Sequence, residues 1–282
     1  MNETHLNNTS RNNPSAAELN TVAVVVPISN RSEFTPEEEI SLRHLEHYLG
    51  GFDRYLVTPE SLAIERAGFE IKRFSDRYFG SIAAHTRMML DTEFYEAFSG
   101  YRFILTYHLD ALVFSDQLLD WCDKDFDFIG APRIGMSDRP HVVGNGGFAL
   151  RKVESMLKVL RSREYAIDPA TYWRSINASM PRPMRALNLP RKFLKQIRYF
   201  NNIQREIDYL LQETLPCEDI FISESALKYY PGFRFAPAEL AFRFAFDEMP
   251  RYCFEITGGR LPFGCHAWFK QDREFWEPFL LK

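Results

Sequence analysis

Short apolar runs recur through the first half of the chain, and stretches with helical spacing of apolar residues separate them. The first run, residues 21–27, is apolar at nearly every position, which is typical of a strand buried on both faces of a parallel sheet. Further strands are predicted at residues 54–58, 69–74, 101–107 and 126–132. This alternation predicts an α/β fold with a mainly parallel, doubly wound (Rossmann-like) sheet flanked by helices.

One helix start is clearly marked in the sequence. Thr35 stands at the N-cap position, Pro36 opens the first turn and three glutamates follow, as capping preferences and the helix dipole favour. This helix is expected to end at Gly50 and Gly51. Other helices are predicted at about residues 60–67, 81–99, 116–124 and 152–162, and one or two late strands at 233–246.

The sequence predicts an N-terminal tail followed by one ordered domain. Residues 1–20 are rich in Asn, Ser and Thr and poor in large apolar residues, which predicts a disordered tail. Residues 21–282 are expected to form a single domain. Within it, residues 169–205 hold eight Lys and Arg and no Asp or Glu, interleaved with apolar residues. This basic helical insertion is either a solvated helical face or a contact to an anionic acceptor or an anionic membrane.

Composition and charge restrict the kinds of partner and the cellular compartment that we expect for this protein. The 282 residues carry a net charge of −4, so nothing global indicates a nucleic-acid partner. The four cysteines are scattered and predict free thiols in a reducing compartment. The N-terminus lacks the pattern of a signal peptide, and no apolar run approaches the roughly 20 residues that span a bilayer. We expect a cytoplasmic protein, with peripheral contact to the inner membrane face as a further option.

His108 and Asp110 follow directly on the apolar strand at 101–107. Because residues two apart on a strand point to the same side, the imidazole and the carboxylate are expected together at the carboxyl edge of the sheet. Ligand sites of open α/β sheets lie at that edge. The alternative is that Asp110 caps a turn and His108 is an ordinary edge residue.

Three later features also carry candidate chemistry. Gly144, Gly146 and Gly147 allow close approach of the backbone to a ligand, or form a tight turn between strands. Strand-like residues separate them from the next helix, which argues against a phosphate-binding Rossmann or P-loop turn. The acidic pair at 218–219 opens a helix. Its carboxylates either interact favourably with the helix dipole or provide a general base. His266, in an apolar segment, is either a satisfied buried residue or a ligand.

In combination these features resemble a bacterial and fungal family of unknown function that is itself similar to the GT-A glycosyltransferases. The resemblance rests on the segment Tyr107-His-Leu-Asp-Ala-Leu-Val-Phe114, the Gly-Asn-Gly-Gly-Phe segment at 144–148, the acidic pair and Phe263-Gly-Cys-His-Ala-Trp268. It covers about residues 22–276.

The resemblance implies a metal-dependent transfer of a sugar from a nucleotide-sugar, with UDP as the expected nucleotide. Asp110 would bind the divalent metal, Mn²⁺ or Mg²⁺, with His266 as a second ligand. His108 stands where the family pattern of GT-A enzymes has the first Asp of Asp-x-Asp, which leaves its role open. Asp219 is expected to be the general base of an inverting reaction, with Glu218 as the second choice.

Further contacts to donor and acceptor are expected from Pro27, Arg87, Gly144, Asn145, Gly146, Gly147 and Phe148. The acceptor would be a glycan or glycolipid, such as a lipopolysaccharide or capsule oligosaccharide. An alternative is a catalytically degenerate relative that binds glycans or serves as a scaffold. A nucleotidyltransferase is less well supported, since the loop after the first strand has no glycine.

Overall fold

The computed structural model describes residues 20–134 and 144–281. Most of the predicted tail, residues 1–19, lies outside this range. Asn20, which was expected to end the tail, already belongs to the first strand. The strands are β1 (Asn20–Pro27), β2 (Asp53–Pro59), β3 (Glu70–Phe74), β4 (Tyr101–Tyr107), β5 (Leu112–Val113), β6 (Phe128–Gly130), β7 (Phe148–Lys152), β8 (Ala245–Phe246) and β9 (Gly264–Cys265).

The described residues form a six-stranded sheet of order β3-β2-β1-β4-β7-β6 and a small sheet of order β5-β9-β8. Strands β1 to β4 run parallel, whereas β7 runs antiparallel to both β4 and β6. In the small sheet, β9 is antiparallel to β5 and parallel to β8. The expected α/β fold with a mainly parallel central sheet is confirmed.

Helices cover both faces of the large sheet. Along β1, Ala23 and Val25 pack into one apolar layer, and Val24 and Val26 pack into the opposite one, as the strand period of two requires. The helices are α1 (Pro36–Leu49), α2 (Ile82–Met89), α3 (Thr92–Glu96), α4 (Leu118–Asp123), α5 (Val153–Leu160), α6 (Pro169–Ser179), α7 (Arg182–Leu187), α8 (Leu189–Gln196), α9 (Ile203–Leu210), α10 (Glu218–Tyr229), α11 (Ala238–Phe244), α12 (Pro250–Ile256), α13 (Trp268–Gln271) and α14 (Arg273–Trp276).

The predicted start of α1 is confirmed. The Thr35 hydroxyl accepts a hydrogen bond from the Glu38 N–H at 3.3 Å, and the Glu38 carboxylate accepts from the Thr35 N–H at 2.8 Å. This reciprocal capping box satisfies two of the N–H groups that a helix start leaves without partners. The start of α1 is thereby fixed beside the carboxyl end of β1.

The helix predicted at residues 60–67 is wrong. This connection consists of turns and irregular chain, because its backbone groups bond to other segments. The Ser61 N–H donates to the Asp76 carboxylate at 3.1 Å, and the Leu62 carbonyl accepts from the Arg73 guanidinium. Tertiary contacts have therefore overridden a helix-forming composition.

Two further predictions need correction. Residues 81–99 form two helices, because the Asp91 side chain accepts from the Glu93 N–H at 3.0 Å and starts α3 anew. Residues 233–246 are mainly the helix α11, which follows Pro237 and buries Ala241 and Phe244. Strand character remains only at β8 and in a bridge between Phe235 and Phe128.

The basic insertion at 169–205 folds as α6, α7, α8 and the start of α9. A 3-10 turn at Arg198–Phe200 lies between α8 and α9. Its helical character was predicted correctly. Within the described ranges, no helix is both long enough and apolar enough to cross a bilayer. The four cysteines, all in the described part of the chain, are free thiols, as predicted.

Candidate active site

A cavity of about 910 Å³ opens at the carboxyl ends of β1 and β4. Its walls come from the loop after β1, the first turns of α1, α2 and α10, the residues after β4, and the residues just before β7. Open α/β sheets bind their ligands at this edge. The predicted site residues that line it are Pro27, His108, Asp110, Asn145, Gly146, Gly147, Glu218, Asp219 and His266.

Three of these side chains form a cluster that could hold a metal ion. One ligand atom each of His108, Asp110 and His266 lies within 4.8 Å of the others. The His266 Nε2 is 3.2 Å from the Asp110 Oδ1, and the Lys270 ammonium lies 2.7 Å from the other Asp110 oxygen. The structure thus brings together two residues that are more than 150 positions apart in the sequence.

Backbone hydrogen bonds explain why these side chains meet. The N–H of His108 donates to the Gly147 carbonyl at 2.8 Å, which continues the pairing of β4 with β7. The N–H of His266 donates to the Phe246 carbonyl at 2.9 Å, and the N–H of Trp268 donates to the Asp110 carbonyl at 3.0 Å. The end of β4 and the end of β9 are therefore held side by side.

The donor set suits a divalent metal. Two imidazoles and a carboxylate are ligands that Mn²⁺ accepts and that Mg²⁺ accepts less readily. The Nε2 of His108 is buried and has no hydrogen-bond partner among the described residues, an arrangement that an ion can satisfy. Burial, together with His85 and His266, lowers the pKa of His108 to about 3, so its imidazole is neutral, as a metal ligand must be.

Asp247 is a residue of this site that the sequence reasoning missed. Its carboxylate lies 3.0 Å from the Nδ1 of His266 and accepts a hydrogen bond from the Asn145 amide at 2.7 Å. Asn145 is itself held, because its side-chain oxygen accepts from the Gly147 N–H at 2.8 Å. Burial disfavours the charged form of His266, but its hydrogen bonds to Asp110 and Asp247 outweigh this and raise its pKa to about 10. The ring is therefore protonated without an ion, and a metal at Nε2 would take the place of the proton shared with Asp110. Asp247 therefore fixes the orientation of the candidate ligand.

The predicted acidic pair lies in the first turn of α10, with both carboxylates buried. Glu218 accepts a hydrogen bond at 2.9 Å from Arg151, whose side chain is completely buried. The same guanidinium donates to the Tyr95 hydroxyl at 3.1 Å. Asp219 instead accepts from Arg133 at 2.6 Å and from the Gly146 N–H at 3.2 Å.

The two acids differ in their electrostatic surroundings. Burial opposes ionisation of Glu218, yet the guanidinium of Arg151 outweighs it and lowers the pKa of Glu218. Burial and the neighbouring Glu218 charge raise the pKa of Asp219, although Arg133 counteracts them. A raised pKa suits a group that must accept a proton, so Asp219 is the better candidate for a general base.

Gly146 and Gly147 lie between the acidic pair and the cluster of His108, Asp110 and His266, and they are close to both. A Cβ on Gly146 would stand 2.1 Å from a carboxylate oxygen of Glu218. A Cβ on Gly147 would stand 2.2 Å from two ring atoms of His266. A Cβ at either position would force a neighbouring side chain to shift, so both chemical centres pack directly against one piece of backbone.

Three predicted contacts lie away from the cavity. The Phe148 side chain packs in the core against Phe244 and Phe263, since it lies on the strand face opposite the cavity. Gly144 faces Ser223 of α10. Arg87 is exposed on α2, whereas its neighbours on the same helix, His85 and Thr86, line the cavity.

Arg133 and Arg151 are also residues that the sequence reasoning missed. Arg151 follows the apolar run of β7, and a cation that ends a buried strand was a usable signal. Arg133 follows β6 in the same way. Asp247 likewise comes directly after β8. The rule that drew attention to Asp110, a polar residue at the end of a strand, applies to all three.

The chain belongs to a family described as "protein of unknown function (DUF5672)", whose model matches residues 68–266, more than half of the chain. This confirms the resemblance to a family of unknown function. No protein with a curated description matches the sequence.

The fold is similar to that of several solved glycosyltransferases. One, involved in the glycosylation of the major capsid of PBCV-1, has a TM-score of 0.46 and 11% identity over 92% of this chain and 98% of its own. The galactosyltransferase LgtC has a TM-score of 0.44 and 12% identity over 86% of both chains. GlyE of Streptococcus pneumoniae TIGR4 has a TM-score of 0.45 and 13% identity over 92% of this chain and 60% of its own. At these TM-scores and identities the likeness assigns neither a function nor a residue's role to this chain.

Proposed function

We propose that this protein is a metal-dependent glycosyltransferase of the inverting kind. It would move a sugar from a nucleotide-sugar, with UDP as the expected nucleotide, to a glycan acceptor. Residues 21–282 would act as one GT-A-like domain. The observation that carries the proposal is that one cavity holds both a His-Asp-His cluster and a buried acidic pair, separated by Gly146 and Gly147.

The residues that would hold the ion are Asp110, His266 and His108. A Mn²⁺ or Mg²⁺ ion at this place would neutralise the diphosphate that leaves with the nucleoside. Asp247 would keep the His266 ring aimed at the ion through its contact with Nδ1. Lys270, mostly exposed at the cavity edge, adds a positive charge that suits the same diphosphate.

Asp219 would serve as the general base. It would take the proton of the acceptor hydroxyl while that oxygen forms a bond to the anomeric carbon of the donor sugar. The bond between this carbon and the phosphate oxygen breaks, and the electron pair leaves with the nucleoside diphosphate. Glu218 would remain ionised beside Arg151, and its negative charge helps Asp219 to accept the proton.

The acceptor would be a glycan or a glycolipid, such as a lipopolysaccharide or capsule oligosaccharide, modified in the cytoplasm. The cavity is large enough for a sugar nucleotide together with part of an acceptor, since small-molecule sites commonly have about 300–1,000 Å³. Its walls are mostly polar or glycine where the candidate chemistry lies, which suits hydroxyl-rich ligands.

A thermal-shift assay tests this proposal. The protein is heated with UDP, GDP or CMP, each with and without Mn²⁺. We expect one nucleotide to raise the midpoint of unfolding only when Mn²⁺ is present, and Asp110→Ala to abolish the effect. Asp120→Ala, which removes an exposed carboxylate outside the cavity, is the matched control and should respond as the wild type does. Stabilisation by free glycans alone, with no nucleotide raising the midpoint whether or not Mn²⁺ is present, would contradict the enzyme and support a glycan-binding relative.

A further inference from the structure

The basic helical insertion, residues 169–205, carries an exposed apolar surface that the transfer reaction does not use. In α7, α8 and the residue after α8, six large apolar side chains are exposed to solvent, with Leu187 at 73% and Phe193 at 58%. Neither helix contains a single buried residue. The six are Met184, Leu187, Leu189, Phe193, Leu194 and Ile197.

Basic residues accompany this apolar surface. Six Lys and Arg lie between residues 182 and 198, and the whole segment from 169 to 205 contains no acid, although the chain as a whole has a net charge of −4. In α8, Leu189 and Phe193 are four residues apart and share one side of the helix, whereas Arg191 and Lys195 share another. An apolar face beside a basic face is the pattern of a helix that lies in a membrane interface.

The exposed side chains do not result from an unfolded segment. The Asn201 side chain is fully buried, donates to the carbonyls of Ile167 and Lys195 at 2.7 Å each, and accepts from the Ile167 N–H at 2.9 Å. These bonds attach the end of the insertion to the chain that enters it. The ammonium of Lys192 lies 4.6 Å from the ring centre of Trp173, which joins α8 to α6.

We infer that this surface binds an anionic lipid bilayer, with Leu187 and Phe193 inserted among the lipid chains and the Lys and Arg side chains on the headgroups. A soluble anion would explain the charge but leave the apolar side chains without a partner. A protein partner would need no such excess of one charge sign. The charge and the apolar surface together favour an anionic bilayer.

The insertion also leads to the cavity. After α9 the chain passes exposed Leu215 and reaches Pro216, which lines the cavity directly before the acidic pair. A bilayer-bound insertion would therefore be linked, through the rest of α9 and residues 211–216, to the place where the acceptor reacts. The inference nevertheless does not depend on the proposed reaction, because bilayer binding is measured without donor, acceptor or metal.

Vesicle co-sedimentation of the full chain tests the inference. We expect binding to vesicles of phosphatidylcholine with about 30% phosphatidylglycerol, little binding to phosphatidylcholine alone, and weaker binding at high salt. Replacing Arg191, Lys192 and Lys195 by Gln should weaken binding roughly 100-fold, since each cation near an anionic surface contributes on the order of fivefold. Leu187→Ser with Phe193→Ser should weaken it roughly tenfold or more.

Ile256→Ser is the matched control, because Ile256 is an exposed apolar residue outside the insertion. It should bind vesicles as the wild type does. In the wild type, fluorescence of half-buried Trp173 should shift to the blue on binding, and circular dichroism should show every variant folded. The inference is overturned if the protein ignores phosphatidylglycerol vesicles, if it binds phosphatidylcholine equally well, or if the Leu187 and Phe193 variant binds like the wild type. None of these results would bear on nucleotide-dependent stabilisation.

Discussion

Gly147→Ala is expected to remove metal binding while leaving the fold in place. The new Cβ would stand 2.2 Å from both Cδ2 and Nε2 of His266 and 2.9 Å from Nδ1 of His108. Favourable contacts between such atoms lie at about 3.5–4.0 Å. The His266 ring would therefore have to retreat by more than about 1 Å, unless the backbone moves instead.

The backbone at residue 147 is held on both sides. Its carbonyl accepts from the His108 N–H at 2.8 Å, and its N–H donates to the Asn145 side chain at 2.8 Å. Metal–ligand distances tolerate only about 0.2 Å of change, so the displaced ring would be lost as a ligand. Removing a partner that merely orients a ligand costs about 10–100-fold in affinity, and loss of the ligand should reach at least the upper end of that range, about 100-fold.

Electron paramagnetic resonance of free Mn²⁺ measures this affinity directly. Gly100→Ala is the matched control, because a Cβ at Gly100 meets nothing within 4 Å. Both variants are first compared by circular dichroism and urea unfolding to establish that they are folded. If folded Gly147→Ala bound Mn²⁺ within threefold of the wild type, the proposed cluster would not be the metal site.

Three further outcomes follow from the contacts of single residues. Asp247→Ala should lower Mn²⁺ affinity by about 10–100-fold, because His266 loses its orienting partner; calorimetric affinity within threefold of the wild type would contradict this. Arg151→Met leaves Glu218 buried without its partner and should cost about 3–5 kcal/mol in urea unfolding; a loss below about 1 kcal/mol would refute the role of the pair. Burial lowers the pKa of His44, so below about pH 6.5 the unfolded chain binds a proton that the folded chain does not. The free energy of unfolding of the wild type should therefore fall more steeply below about pH 6.5 than that of His44→Gln, and an equal fall in the two proteins would show that His44 is not responsible.

Local rules of sequence predicted the parts of this fold that local contacts determine. The N-cap Thr35, Pro36 and the glutamates at the start of α1 lie close together in the sequence, and the helix start that they predict is confirmed. His108 and Asp110 both line the cavity, as expected, but they lie in the turn after β4 and the period of a strand does not place them. The acidic pair was expected at a helix start and lies in the first turn of α10.

The errors arose where distant segments decide the structure. Residues 60–67 have the composition of a helix, but Asp76 and Arg73 take up their backbone groups. Asp247, Arg133 and Arg151 stand at or near strand ends, which was a usable signal, but their partners lie 19 to 86 positions away and no local pattern identifies those partners. The pairing of Asp110 with His266 came from the family resemblance, because spacing alone does not connect two residues across most of the chain.

The measurement that tests the proposed function most directly is release of nucleoside diphosphate from a panel of nucleotide-sugars in the presence of Mn²⁺ and glycan acceptors. We expect turnover with one donor class, loss of turnover on chelation, and a fall in kcat of at least about 100-fold in Asp219→Asn, since a positioned base contributes about 10²–10⁴-fold. Gly100→Ala should keep wild-type turnover. Turnover that persists in both Asp110→Ala and Asp219→Asn, or binding of Mn²⁺ and nucleotide without turnover of any donor, would contradict the proposed function.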